Sequence, residues 1–274
     1  MVRKNVQKSK SAFNNILCAI NSIKDTGPLA GRYRTYGSLI KETYKVFTNI
    51  SPEYSDSQIK EYIIEKNALN KKSYATRQKV WNLIFYRYLS KSPRWVKLSL
   101  VKAAKKGIDD PEFLSLFYLY YCLRDRLTFE FVTGTVASKW KNHSTYVDKN
   151  DFLSFLTGNM DDSPQIGGWS EATRKKLATN TISALRDFGI LKGVQKKYIQ
   201  HPTIAPETIY HLICILKAEG KEGLNLINAP EWQLFLWNQY EVINALNDLA
   251  QRKWIRFEKS GKTVILEMIR IPEE

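Results

Sequence analysis

The run Phe113 to Leu123, FLSLFYLYYCL, restricts this chain more than any other segment. It carries no charged side chain and no Gly or Pro. A helix built from it has no polar face to turn to water. It is also well short of the roughly 20 apolar residues that cross a bilayer. A helix of this kind has to be wrapped by others, so the aromatic-rich stretch 113–140 is expected as one long helix at the centre of a bundle.

Helical periodicity recurs on both sides. Leu39, Tyr44, Val46 and Phe47 form one pattern, ended by Ser51-Pro52. Ser55 with Gln58 three residues later is a capping box, and it opens a helix with Ile59, Tyr62 and Ile63 on one face. Ser73 to Leu89 is expected as a helix with Val80, Leu83, Ile84 and Tyr88 inward, and Trp95 to Lys106 continues the series. Asp151 to Leu156 reads as a short helix. Ser170 to Phe188 is a further helix, closed by Gly189, and 193–204 follows as an extended wing. Tyr240 to Gln251 is a helix leading into WIRFE, a KSGK turn and TVILEMIRI, an alternation typical of a hairpin.

The fold class expected is therefore mostly α. A basic helical bundle is assigned to 28–158, a Gly-, Pro- and Asp-rich linker to 159–168, and a helical domain with short winged-helix-like β-hairpins to 169–274. Residues 1–27 read as a basic extension, with one amphipathic helix over 12–23.

Charge is the second constraint. The 274 residues carry a net +15, and its distribution is one-sided. Residues 1–106 hold 22 Lys+Arg against 6 Asp+Glu, while the remainder holds 20 against 21. Between Lys66 and Ile108 there are twelve Lys or Arg and no acid. Solubility does not require such asymmetry, so the pattern predicts a polyanionic partner. The candidate contacts are Lys71, Lys72, Arg77, Lys79, Arg87, Lys91, Arg94, Lys102, Lys105 and Lys106. The first four cluster at a helix N-terminus, where free N–H groups also favour phosphate. A second group, Arg174, Lys175 and Lys176, lies on the helix before the wing, with Lys192, Lys196 and Lys197 beyond it. Interleaved aromatics from Tyr74 to Trp95 are expected mainly in the core.

Signals for catalysis are poor. There is no Walker A sequence and no GxGxxG. His211 and Cys214, at i and i+3, are two metal ligands without a third, and a packed His beside a buried Cys is the commoner arrangement. No cofactor or metal is called for, and the chain reads as non-enzymatic. Cys18, Cys122 and Cys214 form no CxxC pair, which favours a reducing compartment and a cytoplasmic location.

Three stretches in order, GRYRTYGSLIKET, EYIIEKNALNKKSYATRQKVWNLIFYRYL and WSEATRKKLATNTISALRDFGIL, resemble the BrxA family of BREX bacteriophage-defence systems. The resemblance is carried by Asn67-Ala68-Leu69 to Ser73-Tyr74-Ala75-Thr76, with Arg77 and Arg87 after it. It is also carried by Trp169 to Leu191, and it runs over roughly 28–270. It implies a small non-enzymatic DNA-binding protein whose N-terminal bundle is similar to the NusB type. Double-stranded DNA would be its partner, and other BREX components would work beside it. Two alternatives stand at this level: an RNA-binding protein, and a protein–protein scaffold using Trp232, Phe235, Trp237 and Tyr240.

Overall fold

A computed structural model describes residues 23–29 and 37–272. The helix expected over 12–23 lies outside these residues except for Ile23, as do Cys18 and the loop residues 31–36. The model is 59% helical, with two small antiparallel hairpins among the described residues.

In the first half α1 spans Ile40–Asn49 and α2 Asp56–Ile64. The capping box forms as expected: Gln58 N–H donates to Ser55 Oγ at 3.2 Å, and Ser55 N–H donates to Gln58 Oε1 at 2.8 Å. Helix α3 spans Tyr74–Ile84 and runs into a π-turn, Phe85–Leu89. Helix α4 spans Arg94–Ala104 and α5 Pro111–Leu123. Pro111 in its first turn and the Asp110 carboxylate, accepting from Glu112 N–H, start α5, as proline and acidic caps commonly do.

The long helix expected over 113–140 is instead two segments. Asp125 leaves the helical region at φ −134°, ψ 87°, and its carboxylate accepts from Thr128 Oγ1, beginning a new run. That run is α6, Arg126–Glu130, a π-helical stretch, Phe131–Val136, and α7, Ala137–Lys141.

The second half contains α8, Lys149–Gly158, and α9, Pro164–Gly167. The stretch expected as a linker therefore holds a helical turn, with Ser163 and Ile166 buried. Helix α10 spans Glu171–Asp187. Strands β1, Leu191–Lys192, and β2, Tyr198–Ile199, pair antiparallel. Residues 145–147 lie along the far edge of β2 through Val147 N–H to Lys197 O and Ile199 N–H to Thr145 O. Helix α11, Pro206–Ala218, α12, Gly223–Ile227, and a 3₁₀ turn, Pro230–Phe235, follow. Helix α13, Gln239–Gln251, leads into β3, Ile255–Ser260, and β4, Thr263–Met268. The Ser260–Thr263 register closes this hairpin through Gly261-Lys262.

Helix α5 is the hub. From Ser115 to Leu123 every residue is buried, and it packs on α4, α6 and α11. Full burial of a Leu or Phe side chain contributes about 1.5–3 kcal/mol, so this one helix supplies much of the drive to collapse. Its tyrosines set the geometry. Tyr118 Oη donates to Leu234 O at 3.0 Å, Tyr120 Oη bonds His211 Nδ1 at 2.8 Å, and Tyr121 lies under the Arg87 guanidinium. Buried hydroxyls need partners, and two of these find them more than 90 residues away. One hydrophobic core thus runs from Ile23 to Leu266.

Residues 23–27, read from sequence as the end of an extension, are built into that core. Ile23 is fully buried, Asp25 N–H donates to Leu123 O at 2.7 Å, and Arg126 donates to Gly27 O at 2.8 Å. Lys24 Nζ reaches the buried Glu231 carboxylate at 2.5 Å.

Candidate nucleic-acid interface

The basic segment begins at a turn that only certain residues make easily. Asn67 and Asn70 take φ of 48° and 52°, in the left-handed region that Asn tolerates better than most side chains. Asn67 Oδ1 accepts from Lys71 N–H at 2.8 Å. Ser73 then caps α3 by accepting from Thr76 N–H. The Asn67 to Thr76 passage is thus a helix-entry device, and it presents Lys71 and Lys72 just before the first turn.

The bases divide into three kinds. Some are matched by acids. Lys71 pairs with Glu42 at 2.7 Å, Arg94 meets both oxygens of Glu53 at 2.6 Å, Lys106 pairs with Glu112 and Lys175 pairs with Glu171 at 2.6 Å. Others are exposed and have no ion-pair partner among the described residues: Lys72, Lys79, Lys91, Lys105 and Lys176. Lys102 is also exposed. The third kind is turned inward. Arg87 is 3% exposed, donates to Ser38 O at 3.1 Å and stacks 4.6 Å from the Tyr121 ring. Its place is the core, and it offers no surface contact. The π-turn Phe85–Leu89 rotates it there, which periodicity alone does not reveal.

Arg77 is half-buried, lying 5.6 Å from the ring of Tyr74. Tyr74 is 54% exposed, unlike the core aromatics Trp81, Tyr88 and Trp95. An exposed ring beside a guanidinium at the mouth of α3 is a surface feature that sequence reading assigned mainly to the core. Arg174 is half-buried against Met160 Sδ, leaving Lys175 and Lys176 outermost on α10.

The β1–β2 hairpin after α10 depends on Gly193, which takes φ of 107°. A Cβ there would lie 2.2 Å from Lys196 O, so the turn demands glycine. Val194 at its tip is 79% exposed.

The remaining sequence candidates resolve as packing. His211 is 3% exposed and Cys214 fully buried. Burial and then Arg270 hold the imidazole neutral, pushing its pKa down to about 3, and burial pushes the Cys214 thiol up to about 12. No group of three His, Cys, Asp or Glu able to hold a metal occurs among the described residues. Trp232, Phe235 and Trp237 are core residues, while Tyr240 is 71% exposed.

Fold and surface together define a mostly helical protein with an acid-poor, lysine-rich N-terminal face and two small β-ribbons. No helix among the described residues is long and apolar enough to cross a membrane. The chain belongs to the BrxA family, whose model matches residues 31–214. A similar curated protein is the BREX protein BrxA of Bacillus cereus (strain H3081.97), 22% identical over 176 residues, covering 64% of this chain and 84% of that one. Among solved structures, an uncharacterized protein from Magnetospirillum magneticum shares the fold with a TM-score of 0.58. It is 13% identical and covers 74% of this chain and 98% of that one.

Proposed function

We propose that this chain is a non-enzymatic DNA-binding accessory component of a BREX phage-defence system, holding duplex DNA through its basic helical surface. The observation that carries this reading is the set of exposed lysines Lys72, Lys79, Lys91 and Lys105, which lack ion-pair partners among the described residues. Glu42, Glu53 and Glu112 are engaged by Lys71, Arg94 and Lys106 instead. What remains outward is uncompensated positive charge, the electrostatic footprint of a phosphate-backbone binder. Such contacts position DNA without reading its sequence.

Helix α10 with the β1–β2 hairpin supports a winged-helix-like role for the second half. Lys175 and Lys176 would face a groove, and Lys192, Lys196 and Lys197 the backbone beside it. The N-terminal bundle is the part we compare with the NusB type. The family supports work in phage defence beside other BREX components, and the three separated cysteines support a reducing, cytoplasmic setting. A second reading, an assembly surface for one of those components, rests on Ile265, Ile269 and Ile271, which are exposed along and after β4.

The deciding experiment is a salt series of anisotropy titrations on duplex DNA and on RNA of equal length. Log K for DNA should fall by about 0.9 per log salt for each phosphate neutralised. Changing Lys72, Lys79, Lys91 and Lys105 to Glu should abolish most affinity and flatten the slope by roughly three to four units, with an unchanged melting temperature. Changing Lys175 and Lys176 should have a smaller effect. Unaltered binding by the first variant would overturn the N-terminal surface, and preference for RNA would overturn DNA as the partner.

A further inference from the structure

Residues 145–147 lie beside β2 as a third, short segment, which widens the β1–β2 hairpin into a small ribbon. Tyr146 bridges to Tyr198, and Tyr198 stands opposite Lys192. Residues paired across antiparallel strands share a face, and here that face is outward. Tyr146 is 36% and Tyr198 47% exposed, while Val147, Ile199 and Leu191 beside them turn into the core. Two rings and a cation thus stand in a row across two strand spacings, or about 10 Å.

The rings are held rather than loose. Tyr146 Oη donates to Asp148 Oδ2 at 3.0 Å, and Lys139 Nζ donates to Tyr146 O at 3.2 Å. The ring centroids are 6.5 Å apart with planes at 63°, an edge-to-face contact that leaves ring surface open to water. The surroundings are basic. From Phe188 to Pro206 the chain has no acid, and Lys192, Lys196 and Lys197 all lie in that stretch. None of the three has an ion-pair partner among the described residues, and Lys197 Nζ only folds back onto Val194 O at 2.8 Å. The acids near Tyr146 are occupied. Asp148 takes the tyrosine hydroxyl and caps α8, and Asp151 pairs with Lys139 at 2.5 Å. Glu241, which lines the neighbouring cleft with Thr145, is met by His201 at 2.9 Å.

Held aromatic rings in a basic setting complement a ligand that carries flat π-faces and phosphates together. A duplex does not offer this, because each base face is covered by its neighbours in the stack. Unpaired bases do, and their stacking on aromatic side chains is tolerant of sequence. We propose that this ribbon is a stacking platform for unpaired DNA bases. Tyr146 and Tyr198 take the bases, and Lys192, Lys196 and Lys197 take the phosphates that join them. The inference rests on the reading of this hairpin as a nucleic-acid contact, and it adds single-stranded DNA where that reading names only the duplex.

Anisotropy titrations of the full chain test it with a blunt duplex, the same duplex carrying a short thymidine tail, and the same duplex carrying a tail of abasic nucleotides. The abasic tail keeps the phosphates and removes the bases. The thymidine-tailed duplex should bind about five- to a hundredfold more tightly than the abasic one. Changing Tyr146 and Tyr198 together to Leu should erase that difference and leave blunt-duplex affinity and melting temperature unchanged. Changing both to Phe should keep most of it. Free oligothymidylate against its abasic counterpart repeats the comparison without a duplex, so a failure of the N-terminal lysine surface leaves this test intact. Equal affinity for the thymidine and abasic tails would overturn the platform. So would a preference that survives in the folded Leu variant, or a uridine tail of RNA held more tightly than the thymidine tail.

Discussion

The Tyr120 hydroxyl lies 2.8 Å from His211 Nδ1, joining α5 to α11 across 91 positions of sequence. Between a neutral imidazole and a tyrosine hydroxyl one partner donates and the other accepts, so each answers a polar atom the other would otherwise leave unsatisfied in the core.

The burial of His211 makes stability depend on pH. In the folded protein His211 is pushed down to about 3 from an ordinary 6.5 by burial, with Arg270 adding to the effect. The unfolded chain therefore binds more protons between those values, and stability rises with pH through that window. Acidification from about 6.5 toward 3 removes it, by up to about 1.4 kcal/mol for each tenfold rise in proton concentration. Glu112, raised chiefly by burial, works in the opposite direction. Urea unfolding at pH 7 and pH 5 should show the wild-type chain losing stability and a His211→Phe variant losing less. Parallel losses would assign the effect to other groups.

Glu231 is fully buried and held by two lysines, with Lys221 Nζ at 2.8 and 2.9 Å from its oxygens and Lys24 Nζ at 2.5 Å. Burial alone would raise its pKa, but the lysines hold the carboxyl below its usual range. Both lysines also reach Glu219 and are partly exposed, so losing Glu231 costs them charge-assisted hydrogen bonds rather than stranding them, about 1.5–3 kcal/mol. Glu231→Gln should lower stability by that order. It should also speed hydrogen exchange at Asp25, whose N–H depends on the 23–29 strap staying docked.

Arg87 and Lys79 should separate cleanly. Arg87→Ala leaves Ser38 O without its donor and bares the Tyr121 ring, an expected loss of about 1–3 kcal/mol. Lys79→Ala should stay within about 0.5 kcal/mol but lower the salt slope of DNA binding by about one. A melting scan and an anisotropy series on both variants check this. An Arg87→Ala chain that melts normally and binds DNA poorly would return Arg87 to the surface.

Gly193→Ala forces a Cβ against Lys196 O in a left-handed backbone. The β1–β2 turn should open at a cost of roughly 1–3 kcal/mol. Faster exchange at Val147, whose N–H donates to Lys197 O, would report it, while α5 should remain protected.

Much of this architecture was legible in the residues themselves. The Ser55–Gln58 box, the uncharged 113–123 run and the alternation around Ser260-Gly261 are local patterns whose physics acts within a turn or two of chain. They mark a mostly helical protein with a terminal hairpin. The one-sided charge is likewise readable from the sequence, because net charge is a sum that needs no geometry. Direction is different. Whether Arg87 faces water or Tyr121 depends on a π-turn, and whether Lys71 is available depends on Glu42 arriving beside it. Asp125 splits what periodicity reads as one helix, and Ile23 to Leu29 join the core only because α5, α6 and the 3₁₀ turn assemble a place for them. These features are set by side chains meeting across long stretches of sequence, so tertiary packing decides them, and no local signal encodes them.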